Sequence, residues 1–545
     1  MAAPRVTALV VRLGLAALVL HLVLIQPNHP AALGWGAFAV FPLELPVIVL
    51  ALMAFGRGRG RWAAVLRVGL VAVLLVIAVL KAADFAMFTA LARGFNPVAD
   101  LPLIEAGLRL AVGSVGAVLT VLSVIAALIC VGAVAALLWW ATGVWAGIAW
   151  VPARAAGLAA VVFGGIATAE IGDAMGRWDL PAPVPGAAFT ARVGVERVVM
   201  ARDTLADLRN FSQAAAQDRF AGREGLLSAI DRDVLIIFVE SYGRTSLNTP
   251  LFADTHRATL ARSEARLGDL GLAMRSGILR APTRGGQSWL SHASFANGLW
   301  IADQTSYGAA LASGRQTLFH LARGAGFHTA AVMPQITLDW PEAAYMGFDT
   351  ILAADDLGYE GRPFNWVTMP DQFTFAAMDR LLPKDAEAPL FVQVALGSSH
   401  APWLPVPELV AWDQVGNGEI FNAMADAGDP PEVVWRDRDR VRDQYRLAVD
   451  YALRVVFDYI ARHAETAPLV FVVGDHQAAE FVALDNRPDV PVHVIGPAAL
   501  VDRVADWGWS AGLLPDDQAG PRGMDEMRDL ILEAFSGPSQ DGSGL

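Results

Sequence analysis

Long uninterrupted apolar runs fill the first third of the chain and then give way to short apolar runs separated by polar loops. Stretches long enough to cross a bilayer occur at 8–27, 36–55, 63–82, 111–140 and 152–171, since about 20 apolar residues of helix cover the ~30 Å hydrocarbon core. The first is too long, and too poor in small residues at a cleavage position, to be a signal peptide. Five spans are predicted. Residues 193–220, "VGVERVVMARDTLADLRNFSQAAAQDRF", carry apolar positions at helical spacing with charges between them, which predicts an amphipathic helix near the membrane surface, or a plain spacer helix.

From 231 onward the pattern is strand, loop, helix, repeated. "DVLIIFVESYG" (233–243), "GFHTAAVMPQ" (326–335), "PLFVQVALGSSHAPW" (389–403) and "LVFVVGDHQAAEF" (469–481) are short apolar runs rich in β-branched residues. Helical stretches at 315–324 and 435–462 lie among them. This alternation predicts a mostly parallel, doubly wound α/β sheet. The expected organisation is a transmembrane domain over 1–171, a helical connector over 172–230 and an α/β domain over 231–545. In open α/β sheets ligands bind beyond the carboxyl ends of the strands, and three of these runs end at Glu240, at His400 and at Asp475–His476. A site assembled from several strands is expected there. "DVPVHVIGP" (489–497) reads as an ordinary buried strand, so Asp489 and His493 are left out of it.

Charge separates the two parts. Residues 1–171 hold ten Lys/Arg and five Asp/Glu, and residues 172–545 hold 31 and 49. The acidic second part excludes a nucleic-acid partner, because phosphate binding needs basic surface. Arg57, Arg59, Arg61 and Arg67 cluster after the second span, which makes that loop cytoplasmic. Five crossings from an inside N-terminus then put everything after about 172 on the far side. The single cysteine, Cys130, lies in an apolar run, so no disulfide forms within the chain. Only Lys81 and Lys384 are lysines among 41 basic residues, a bias that points to a GC-rich bacterial genome. The expectation is an integral, multi-pass protein of the bacterial inner (plasma) membrane with an extracytoplasmic, periplasmic catalytic domain.

Carboxylates with an imidazole suit one divalent cation, Mn²⁺, Mg²⁺ or Zn²⁺. "APTRGGQSWLSHASFANG" (281–298) offers a group for it to activate. Gly285 and Gly286 let the backbone approach a ligand, and Ser288 opens a helix running to Asn297. A helix N-terminus favours bound phosphate, and metal coordination lowers the pKa of a hydroxyl nucleophile. Alone, Ser288 reads as a helix cap; with the glycines and the ligand-type residues it reads as a nucleophile. His292, four residues on along the same helix, is assigned a structural role.

These residues resemble the alkaline phosphatase superfamily, in particular its membrane-anchored, sulfatase-like transferases. The similarity is to lipoteichoic acid synthase-type phosphoglycerol transferases and, more distantly, to phosphoethanolamine transferases. It runs from 232 to about 496. "VESYG" matches the strand ending in Glu-Ser-aromatic, which implies Glu240 as a metal ligand. Ser288 stands nine residues before Asn297, the position of the family's nucleophile, where the relatives have threonine. "SSHAPW" resembles the element that holds the transferred phosphate, implying that role for His400. "VDYALRVVFDYI" resembles the helix before the last metal strand, and Asp475 with His476 supplies the remaining ligands. Trp340 matches the head-group tryptophan, although Glu342 stands where an arginine is expected and the loop is shorter. "SWLSH" does not fit the C/S-x-P-x-R motif of classical sulfatases.

The resemblance implies a Mn²⁺-favouring transferase, with Zn²⁺ or Mg²⁺ as alternatives. It would move phosphoglycerol or phosphoethanolamine from a membrane phospholipid to an acceptor hydroxyl on a glycan or glycolipid, through a phosphoserine at Ser288. The alternatives are a phosphoester, phosphodiester or sulfate-ester hydrolase, in which water replaces the acceptor, and a non-catalytic membrane protein with the same fold.

Overall fold

The computed structural model describes residues 3–537 apart from 35, 37–38, 56–60, 92, 366–367, 384–387 and 519. Arg57 and Arg59 of the basic loop lie outside the described residues. The chain divides into two compact units, 1–207 and 208–545.

The first unit is helical: α1 (Ala3–Ile25), α2 (Glu44–Phe55), α3 (Arg61–Leu91), α4 (Leu101–Val115), α5 (Ala117–Ala146), α6 (Ala153–Ala174) and the start of α7 (Phe189–Ala216). Four of these, α1, α3, α5 and α6, are long and apolar enough to cross a bilayer. Their outward faces carry exposed apolar side chains such as Leu128, Ile129 and Val161. The count of five spans is therefore approximate. Within the expected span at 36–55, α2 covers 12 residues, about 18 Å of helix at 1.5 Å per residue. Pro42 has no N–H to donate and forces Phe41 toward an extended conformation, so the helix begins only at Glu44. The run at 111–140 is divided between α4 and α5 at Gly116, whose φ of +85° no helix continues through.

Despite its length, α2 runs antiparallel to α6: Leu43, just before it, packs on Ala167, and Ala54 near its end lies beside Gly157. Lys81 Nζ donates to the Leu24 carbonyl at 3.0 Å and to Thr190 Oγ1 at 2.6 Å, which gathers the end of α1, late α3 and the start of α7. Arg67 Nε donates to Thr142 Oγ1 at 3.1 Å, which joins early α3 to the end of α5 at the opposite end. Helices α1, α2, α3, α5 and α6 thus alternate in direction, and α6 ends opposite Arg67.

The second unit is built on a nine-stranded sheet of β1 (Val234–Val239), β2 (Ala273–Arg280), β3 (His328–Met333), β4 (Thr350–Ala353), β5 (Leu390–Ala395), β6 (Leu469–Gly474), β7 (Asp489–Gly496), β8 (Ser510–Ala511) and β9 (Arg522–Gly523). The order is β4-β3-β5-β1-β6-β7-β2-β8, with β9 pairing β2. The five strands from β4 to β6 are parallel, β7 is antiparallel to β6, and β2 is antiparallel to β7. β2 therefore points the same way as β6. Successive side chains of β1 enter different cores: Leu235, Ile237 and Val239 face one, Val234, Ile236 and Phe238 the other. Burial on both faces is why the strand is written as an unbroken apolar run. One face is covered by α8 (Pro250–Asp269), α10 (Asp371–Leu381) and α11 (Arg438–Arg462), while the other meets Phe295 and Ala296 of α9 (Ser288–Asn297) and the C-terminal helix around Ile531.

Candidate active site

Four strands end at one edge of this sheet and supply the site. Val239 of β1 pairs with Gly474 of β6, so the residues that follow them, Glu240 and Asp475, leave the sheet side by side. β5, on the other flank of β1, leads to His400. β2, parallel to β6, leads through 281–287 into α9 and Ser288.

Glu240, Asp475 and His476 are buried, and one ligand-type atom from each lies within 4.8 Å of the other two. His476 Nε2 is 3.1 Å from Glu240 Oε1 and 3.9 Å from Asp475 Oδ2. The His476 Nδ1–H donates to the Gln477 carbonyl at 3.0 Å, which orients the ring with Nε2 toward the two carboxylates. That nitrogen is buried, and the Glu240 carboxylate is the nearer of the two. Ser288 Oγ donates to Glu240 Oε2 at 3.0 Å. Asp475 Oδ1 accepts the backbone N–H of Ser241 at 2.8 Å and of His476 at 2.6 Å.

The charges within the cluster depend on one another. Burial raises the Asp475 carboxyl well above its ordinary range, and the Glu240 charge raises it further. Burial would also raise Glu240, but His476 and His400 hold it well below the usual carboxylate range. Burial opposes charge on His476, yet Asp475 and Glu240 push it up to about 9. Two buried carboxylates crowd one another unless a positive charge joins them. Among the described residues, no Lys or Arg lines the cavity. A divalent metal ion fits this donor set, in place of the proton that His476 holds: two carboxylates and an imidazole whose Nε2 is turned toward both.

The turn that carries Ser288 is held by its backbone. Gly285, Gly286 and Gln287 have φ of +70°, +140° and +66°, the last a left-handed conformation that costs a non-glycine residue about 1–2 kcal/mol. Such strain concentrates where a side chain must be aimed. Arg284 bridges to Gln477, and the Gly285 N–H donates to the Gln477 carbonyl.

A cavity of about 250 Å³ opens onto these groups, lined by Glu240, Ser288, Asp475 and His400 among others. His400 is aimed by the turn before it. Asp371 Oδ1 accepts the N–H of both Gly397 and Ser398 at 2.9 Å, and Ser399 Oγ donates to the Glu240 carbonyl at 2.6 Å. Burial pushes the Asp371 carboxyl up to about 6. The structure thus brings Glu240, Ser288, Asp475, His476 and His400 together. Trp340 is not among the lining residues; it packs with Phe348, while Gln335 and Ile336 from the same loop enter the cavity. Sequence reasoning gave no role to Asp371, Gln335 or the left-handed Gln287. Only the "GGQS" turn signal pointed to the last.

Residues 232–482 match the sulfatase family model, a span that opens just before β1 and closes after His476. No curated protein matches the chain significantly. Among solved structures, the lipoteichoic acid synthase LtaP from Listeria monocytogenes is 13% identical, aligned over 61% of this chain and 79% of that one with a TM-score of 0.38. The Streptococcus pyogenes phosphoglycerol transferase GacH, in complex with sn-glycerol-1-phosphate, is 12% identical over 61% and 92%, with a TM-score of 0.34. The soluble domain of lipooligosaccharide phosphoethanolamine transferase A from Neisseria meningitidis is 13% identical over 58% and 90%, with a TM-score of 0.38. Likenesses this distant decide neither substrate nor reaction.

Proposed function

We propose that this chain, a membrane protein whose second unit is a sulfatase-like domain of the alkaline phosphatase type, transfers a phospho-head group from a membrane phospholipid to an acceptor hydroxyl on a glycan or glycolipid. The observation that carries this reading is the 3.0 Å hydrogen bond from Ser288 to Glu240, within a buried Glu240–Asp475–His476 cluster. That arrangement supports the reading of Ser288 as a nucleophile beside a metal-type site at the start of a helix. Glu240, Asp475 and His476, joined by Ser288, would hold one divalent cation, Mn²⁺ favoured, which supplies positive charge and a lowered hydroxyl pKa at Ser288.

Ser288 Oγ attacks the phosphorus. The bond from phosphorus to the diacylglycerol oxygen breaks, and diacylglycerol leaves with a proton. His400 hydrogen-bonds a non-bridging oxygen as charge builds, the electrostatic contribution that usually dominates such chemistry. The N-terminal amides of α9 stabilise the phosphoserine. The acceptor hydroxyl then attacks it, the phosphorus–Oγ bond breaks, and Ser288 is restored. The apolar helices of the first unit support a lipid donor, since a soluble ester needs no membrane platform. Their alternation from the basic loop supports an extracytoplasmic site.

The test is incubation of the full chain with Mn²⁺ and phospholipids labelled in the head group, glycerol phosphate and ethanolamine phosphate in parallel. Label on Ser288 with released diacylglycerol is expected. Label passing only to water makes the protein a hydrolase. No turnover, with Ser288→Ala indistinguishable from the parent, overturns the reading.

A further inference from the structure

The cavity contains a second imidazole that the reaction as written does not use. His292 lies one helical turn beyond Ser288 on α9, so the two side chains share a face of the helix. Its ring sits on Phe238 with centroids 4.1 Å apart, and Phe238 shares a face of β1 with Glu240. The ring is therefore wedged between the helix that carries the nucleophile and the strand that carries a metal-type ligand. His292 is only 8% exposed, lines the same cavity as Ser288, Glu240, Asp475 and His400, and leaves a buried Nε2 without a hydrogen-bond partner among the described residues. Packing alone does not account for that nitrogen. An apolar ring would fill the space against Phe238 with nothing left unpaired, and burying an unsatisfied polar atom is unfavourable.

We propose that His292 is a further catalytic residue: its free imidazole nitrogen hydrogen-bonds a non-bridging oxygen of the phosphoryl group that Ser288 attacks. This rests on the phosphoryl-transfer reading above and extends it. The position favours the phosphoryl group over the organic part of the head group. His292 sits at the floor beside Glu240, whereas the more exposed Trp289 and Ile336 border the same cavity nearer solvent. It would make His292 and His400 a pair of donors reaching the phosphoryl group from different elements, one from α9 and one from the turn after β5.

The experiment measures the affinity of the full chain in detergent, with Mn²⁺ present, for inorganic phosphate, alongside its thermal unfolding. His292→Phe keeps a ring against Phe238 and removes the nitrogen. His292→Gln carries an amide N–H to the reach of the lost Nε2. The expected result is that His292→Phe binds phosphate about tenfold or more weakly, the size of one hydrogen bond to a charged oxygen, with an unfolding midpoint near the parent's. His292→Gln should recover at least part of that loss. Equal affinity in His292→Phe and parent overturns the proposal. So does an equal loss in both variants, whether or not the unfolding midpoint falls. Because inorganic phosphate is the probe, this result does not depend on the donor lipid, and the transferase reading stands or falls separately on label at Ser288.

Discussion

The Gly285 N–H donates to the Gln477 carbonyl at 2.7 Å, tying the turn that carries Ser288 to the turn that carries Asp475 and His476. The two turns are far apart in sequence, and this contact sets Ser288 at a fixed spacing from Asp475 and His476. Gly285→Ala tests it. The φ of +70° strains any side chain, and a Cβ there would lie 3.3 Å from Ala479 Cα. We expect a stability loss of about 1–2 kcal/mol and a fall of about 10²-fold in phosphoserine formation, the usual cost of a misplaced reacting group. Thermal unfolding and labelling of Ser288 would show both; full labelling with normal stability would mean the contact does not set the spacing.

Glu240→Gln keeps the shape of the side chain and removes its charge. Purified protein should then lose most of its bound divalent ion, with affinity down at least about tenfold, and Ser288 should no longer be labelled. Elemental analysis after dialysis decides it. An unchanged metal content would remove Glu240 from the ligand set.

A buried cluster of two carboxylates should be stabilised by a cation. Adding Mn²⁺ at about 100 times its Kd should contribute about 2.7 kcal/mol, raising the unfolding midpoint, and EDTA should reverse the rise. The same titration on Asp475→Asn is expected to give a much smaller rise. If Mn²⁺, Zn²⁺ and Mg²⁺ all leave the parent's midpoint unchanged, the metal assignment fails.

At the opposite edge of the sheet, His463 Nε2 lies 3.3 Å from Asp379 Oδ2. Burial alone would lower the His463 pKa, but the hydrogen bond to Asp379 and the Tyr459 carbonyl raise it above its ordinary value. A raised histidine contributes stability in full below its unfolded value of about 6.5, and that contribution is lost as pH rises through the higher folded value. His463→Gln should therefore unfold earlier than the parent at about pH 5.5, with the gap closing in alkaline buffer. A gap that widened with pH would contradict the pairing.

Helix alternation from Arg67 to the end of α6 predicts the sidedness of the second unit. Reporter fusions after residue 180 should be active only outside the cytoplasm; activity only inside would reverse the topology.

The amino-acid sequence by itself determined the central strands. β1, β3, β5 and β6 are apolar and β-branched because a parallel strand buried on both faces has no solvent side to mark with polar residues, and each lies inside the run that predicts it. It also put the ligand-type residues just past strand ends. It did not reveal β2. "AMRSGILR" reads as irregular because Arg275, Ser276 and Arg280 interrupt it, and Ser276 is polar in order to meet the buried His493 ring at 2.7 Å, a partner 217 residues away. Span lengths were legible only approximately, because Pro42 and Gly116 act on backbone geometry that an apolar count does not register. The site itself was decided by tertiary structure. Register between β1 and β6 puts Glu240 beside Asp475, and the mixed β6-β7-β2 order swings α9 back to the same edge. The loop after β3 turns Gln335 and Ile336, and not Trp340, into the cavity. Side-chain direction at such places depends on strand pairing and chain crossing, which are long-range, while sequence patterns report only local burial and backbone preference.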